Sequence, residues 1–131
     1  MNQPLVLCYN MDGERAEQVR ALALQAGIQP FLVPSEAYAQ TIGALCGILV
    51  PTEEAHEGEG FEEEMMLMAF LQKGMLSRFL DGFRDSRVAP VQLKAMLTEN
   101  NSQWTSLRLH SELMDEYKFF KNLNEQQKKK A

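Results

Sequence analysis

The sequence predicts a single α/β domain, a four-stranded and mostly parallel sheet in the order 2-1-3-4 with helices packed on it. Three observations carry this. The runs at Leu5–Tyr9 and Met65–Leu71 are apolar throughout, as strands covered on both faces are. Segments with helical periodicity alternate with the strands, which implies crossover connections of fixed hand. The chain also repeats its own order: Val6 to Val33 and Leu67 to Lys94 share strand, turn, glycine, helix and strand, with Gly13 corresponding to Gly74. Two similar β-α-β-α halves are therefore expected.

Taken in order, Leu5–Tyr9 is ended by the turn formers Asn10-Met11-Asp12-Gly13. A helix follows to Ala26, because Ala16, Val19, Leu22, Ala23 and Ala26 share one stripe. Asp12 and Glu14 suit its positive end, and Gly27 suits the left-handed position past its close. Ile28 to Val33 reads as the second strand, stopped by Pro34. Ser35 is placed to cap a helix over Glu36 to Cys46, closed by Gly47 and weakened by Gly43. Residues 48–64 form the longest irregular stretch, a loop between the halves. Met65–Leu71 is the third strand. Gly74 leads a helix whose buried stripe is Met75, Phe79, Leu80 and Phe83.

Pro90 to Leu97 alternates, with Gln92 and Lys94 on one face and Val91, Leu93, Ala95 and Leu97 on the other. That is the pattern of a half-covered edge strand. A final helix runs from Trp104 to about Leu123, with Leu107, Met114 and Tyr117 on one line and Leu113 and Phe120 beside it. Residues 1–124 make one domain, and 125–131 read as a disordered lysine-rich tail.

With 131 residues, 45% of them hydrophobic, the chain is long enough for one core. Its net charge of −5 is unevenly spread. Glu53, Glu54, Glu57, Glu59, Glu62, Glu63 and Glu64 crowd one loop, and without them acidic and basic residues come close to balance. Nothing here resembles the basic face that nucleic acid requires, so no nucleic-acid partner is expected. No run approaches the roughly 20 apolar residues of a membrane span, and no signal peptide is read at the start. Cys8 and Cys46 make no CxxC pair, and a reduced cytoplasmic protein is the expectation.

In open parallel sheets ligands bind beyond the carboxyl ends of the strands. That rule gathers Asn10, Asp12, Lys94, Thr98, Asn100, Asn101 and Trp104 into a candidate crevice for a ligand or partner. Each also has a structural reading. Asn100 and Asn101 are more economically helix caps, Lys94 lays its stem on the sheet, and Trp104 packs on it. Glu57, Glu59 and Phe61 form a candidate acidic docking loop. The glutamates with His56 match no calcium-loop spacing, so no metal and no cofactor is expected. His110 reads as a surface histidine. The glycine motifs of nucleotide sites and the GxSxG elbow do not occur, and neither cysteine has the context of a nucleophile.

The segments Leu7-Cys8-Tyr9-Asn10-Met11-Asp12-Gly13-Glu14-Arg15, Glu57-Gly58-Glu59-Gly60-Phe61, Leu93 to Asn101, Trp104-Thr105-Ser106-Leu107 and Glu112-Leu113 resemble a bacterial family, domain of unknown function 3783. The resemblance implies a cytoplasmic bacterial protein and carries no activity with it. From the residues, the leading expectation is a non-catalytic interaction or regulatory domain. It would bind a protein partner, or itself as a homodimer, because an unpaired strand edge invites pairing. The alternative is a small-molecule binder or minor enzyme using the crevice.

Overall fold

The computed structural model describes residues 2–58 and 60–129. Strands β1 (Leu5–Tyr9), β2 (Gln29–Leu32), β3 (Met65–Ala69) and β4 (Leu93–Met96) form one sheet in the order β2-β1-β3-β4, as the burial pattern requires. Every residue of β1 and β3 is buried, so these two occupy the centre. Alternation sets their two faces. Val6, Cys8, Met66 and Met68 meet helices α1 (Gly13–Gln25) and α3 (Met75–Asp85) through Val19, Leu22, Ala23, Phe79 and Phe83. Leu5, Leu7, Tyr9, Met65, Leu67 and Ala69 face the other way. There they meet Tyr38, Ile42 and Leu109 from a 3-10 turn (Ser35–Ala39), the short helix α2 (Ile42–Leu45) and α4 (Ser106–Lys129). The molecule is a sheet between two helical layers.

The halves correspond closely. Asn10 and Phe70, the residues that end the two central strands, both take φ near 61°. Gly27 and Arg87 both turn left-handed past their helices, and the next residues, Ile28 and Val88, donate to Ala23 and Phe83. Val33 bonds the Cys8 carbonyl as Leu97 bonds that of Met68. Thr41 caps α2 and Thr105 caps α4, and these two threonines bridge each other. The duplication is a property of the backbone even where the side chains have diverged.

The sheet is mostly parallel, as the sequence predicts, with one antiparallel pair at its centre. β1 pairs with β2, and β3 with β4, in parallel, but β1 and β3 are antiparallel, with Tyr9 opposite Met65 and Leu5 opposite Ala69. The cause lies in the connection. The helix expected over Glu36 to Cys46 is instead a 3-10 turn, an extended Gln40-Thr41 step and four residues of α2. Four residues rise only about 6 Å, too little to carry the chain back along a strand of about 17 Å. Gln40 then holds the following loop through both its amide atoms, at Thr52 and Glu54. The chain stays at the end where β1 stops and enters β3 from there.

Gly43 has its own reason. A Cβ there would sit 2.9 Å from the Ser102 carbonyl oxygen and closer still to Leu49, so α2 approaches the Ser102 loop as only glycine permits.

The last helix also differs from expectation. It begins at Ser106, after a 3-10 turn at Asn101–Gln103, and runs 24 residues, past Leu123 to Lys129. Of its expected buried stripe, Leu107, Leu113 and Met114 are half-buried while Tyr117 and Phe120 are exposed. No helix among the described residues is long and apolar enough to cross a membrane.

Candidate functional site

The antiparallel pairing splits the predicted crevice. Asn10 follows β1 at one end of the sheet, beside the start of β3, whereas Thr98, Asn100 and Asn101 follow β4 at the opposite end. At that far end the polar groups are occupied with one another. Asn101 accepts from the Thr98 N–H at 2.8 Å and donates to the Met96 carbonyl at 2.9 Å, while its own N–H reaches the Thr98 hydroxyl. Ser102 donates to Glu99. These bonds shape the turn; the cap of α4 is Thr105, with Trp104 outside the helix under the Arg108 guanidinium at 4.7 Å. Lys94 is exposed and folds back to donate to the Val91 carbonyl at 2.9 Å. Asp12 precedes α1 without a side-chain capping bond.

The chemistry that does converge lies at the near end, where the acidic loop lands. Asn10 donates to the carbonyls of Phe61 and Glu63, at 2.7 and 2.9 Å, and receives the Tyr38 hydroxyl. Phe61 is stacked between Tyr38, 4.9 Å between centroids, and His110 at 4.0 Å. A Cβ on Gly60 would enter the Tyr38 ring, so this residue must be small for Phe61 to reach its slot. Beneath the stack the buried Tyr9 hydroxyl shares a 2.7 Å hydrogen bond with Ser106. Burial, outweighing that bond, raises the Tyr9 phenol well above its ordinary value.

Two polar contacts fasten the end of the loop. His110 Nε2 lies 2.8 Å from Glu63, and Arg15 grips Glu64 through Nε and one terminal nitrogen while donating to the Ala89 carbonyl. His110 is therefore a packing residue and a hydrogen-bond partner of Glu63, which corrects its reading as a plain surface histidine. No signal in spacing marks it, since Phe61 and His110 meet only through the fold. Of the candidate loop residues, Phe61 is its anchor, Glu57 is exposed, and Glu59 lies outside the described residues.

Beside the Glu63 and Glu64 clasp is a cleft of about 380 Å³, lined also by Pro90, Gln92, Leu93, Met114 and Tyr117. Its walls are the start of β4 and the middle of α4, and they are mostly apolar. From Tyr117 onward α4 leaves the body of the protein with Tyr117, Phe119, Phe120 and Leu123 exposed. The cysteines lie elsewhere. Burial pushes Cys8 up to about 12, helped by the Glu64 charge, and Cys46 up to about 11, so both are neutral thiols at physiological pH. Among the described residues no histidine, cysteine and carboxylate cluster is arranged to hold a metal ion.

Residues 64–120 match the family model described as Domain of unknown function (DUF3783). The chain thus resembles that family over β3, α3, β4 and the first part of α4. The segments around β1 and the Glu-Gly-Glu-Gly-Phe loop lie outside the matched residues. No curated protein and no solved structure matches the chain.

Proposed function

We propose that the chain is a non-catalytic protein-interaction domain whose docking surface is the outer half of α4 and the cleft at its root. The carrying observation is the row Tyr117, Phe119, Phe120 and Leu123, exposed by 43, 63, 59 and 39% on a helix that continues beyond the core. A large apolar row on a rigid element is what a partner buries, and aromatic residues supply most of the energy at such contacts. Glu63, Glu64, Arg15 and His110 at the root of the helix are engaged in holding the loop, and the thiols are neutral, which supports recognition over chemistry. A photo-crosslinking residue at position 120, in cells producing the protein, tests this. Covalent adducts with a polypeptide are expected; their complete absence under strong illumination removes the reading.

A second reading follows from the cleft itself, whose size and apolar walls suit a small molecule. Its carboxylates select a cationic amphiphile rather than a phosphate. Thermal-shift screening with such compounds, nucleotides, sugar phosphates and divalent metals decides it. A uniformly flat screen ends that alternative.

A further inference from the structure

We propose that the cavity between α1 and β2 binds a free apolar α-amino acid, held as a zwitterion by Glu17 and Arg20 with its side chain over Cys8. The site lies apart from α4 and from the cleft at its root, so it stands independently of the reading above. Its volume is about 320 Å³, and its walls are Cys8, Ala16, Glu17 and Arg20 with the residues of β2. That is the lower end of the range for ligand pockets, roughly 300–1,000 Å³, and it sets a small guest.

The duplication explains why the room exists. The paired turns at Asn10 and Phe70 and at Gly27 and Arg87, with the bonds to the Cys8 and Met68 carbonyls, fix one correspondence between the halves. By it Cys8, Ala16, Arg20 and Ala23 stand where the second half has Met68, Leu76, Leu80 and Phe83. Three smaller side chains and one charged one replace four large apolar ones. Between α3 and β4 the matching space shrinks to about 120 Å³, with Leu80 and Phe83 among its walls. Protein interiors close-pack, so space filled in one half and kept in the other belongs to a site and not to the fold.

The second ground is charge. Glu17 and Arg20 are three residues apart on one side of α1, where neighbouring side chains ordinarily meet. Among the described residues neither side chain has a hydrogen-bond or ion-pair partner, and they do not pair with each other. A zwitterion carries its two charges one carbon apart and answers both. Its carboxylate accepts from the guanidinium, and its ammonium donates to the Glu17 carboxylate. A fatty acid or a phosphate leaves Glu17 facing an anion. The neutral Cys8 thiol acts as an apolar floor, and Phe31 and Leu32 leave an exposed apolar rim. Strand addition does not suit this edge. Gln29 and Val33 turn their N–H groups to β1, so Pro30, Leu32 and Pro34 face outward, and neither proline has an N–H to offer.

NMR titration of the full chain with L-leucine and L-phenylalanine tests this. Saturable shifts confined to α1 and β2 are expected with at least one of them. Isocaproate, which lacks the ammonium, and isopentylamine, which lacks the carboxylate, should each bind about tenfold more weakly or worse, as should leucine to Arg20→Gln or Glu17→Gln. Ala16→Leu, which copies the second half, should abolish binding. If that variant fails to fold, the two charge variants, at exposed positions, carry the same decision. No shifts with either amino acid overturn the proposal. Binding indifferent to the charge variants or to Ala16→Leu overturns this cavity as the site, and isocaproate bound as tightly as leucine overturns the zwitterion.

Discussion

At the scale of single residues, the most consequential groups are those that seat the acidic loop, and Gly60 is the least conspicuous of them. Its missing side chain leaves room for the Tyr38 ring, and through that contact Phe61 reaches its place between Tyr38 and His110. Gly60→Ala should therefore displace the loop rather than fill a gap. A loss of about 1–3 kcal/mol is expected from overpacking a fitted site, read as a lower urea midpoint with an unchanged slope. Glu63 gives a second test, through pH. Its own backbone N–H and then the His110 ring hold its carboxyl below the ordinary glutamate value. A group depressed in the folded state stabilises fully above its unfolded pKa and loses that contribution as pH falls through the folded one. Glu63→Gln should melt below wild type at neutral pH. The gap should close on acidification below the normal glutamate range; a gap that persists there shows the clasp contributes nothing electrostatic.

At the scale of elements, the sequence reveals what depends on burial and conceals what depends on direction. β1 and β3 are readable because five consecutive buried residues leave an unbroken apolar run. The strand order follows from the same fact. The direction of β3 is not readable, since a strand covered on both faces has no pattern that distinguishes its ends. It was decided by Gln40 and Thr41, which break one expected helix into a 3-10 turn and a single turn of α2. The α4 row was legible as periodic but not as uncovered, because periodicity shows which residues share a face and not what lies against it. The predicted crevice is split for the first of these reasons: Asn10, Asp12 and Lys94, at the start of β4, lie toward the end where the cleft forms, and Thr98, Asn100 and Asn101 at the other. The threonine caps follow the local rule, each receiving the N–H three residues on. Thr41→Ala and Thr105→Ala should each cost about 1 kcal/mol. In a double variant the losses should fall short of or exceed their sum, because the two residues bridge each other and are not independent. Strict additivity in chemical denaturation would show the bridge to be energetically silent.

At the scale of the whole molecule, the pseudo-two-fold relation explains why the family resemblance can stop at residue 64. The axis passes between β1 and β3, so each half presents one central strand to the other in antiparallel register, Leu7 opposite Leu67 at the middle. A half on its own would expose the edge of β3 that β1 now covers, while α3 and α4 still pack on its two faces. The partner such an edge needs is already encoded, because a second β3 can approach in the antiparallel sense that β1 now occupies. A fragment of residues 62–131 should therefore form a dimer through β3, with sheet order β4-β3-β3-β4, and lose it when a proline replaces Leu67 on the edge. This association differs from the one proposed for α4: Phe120→Asp should leave it intact. Light scattering on the fragment with each substitution separates the two interfaces. A folded, strictly monomeric fragment would mean that the second half does not depend on a neighbour at its central strand, and that the antiparallel β1–β3 pairing joins two units that are each stable alone.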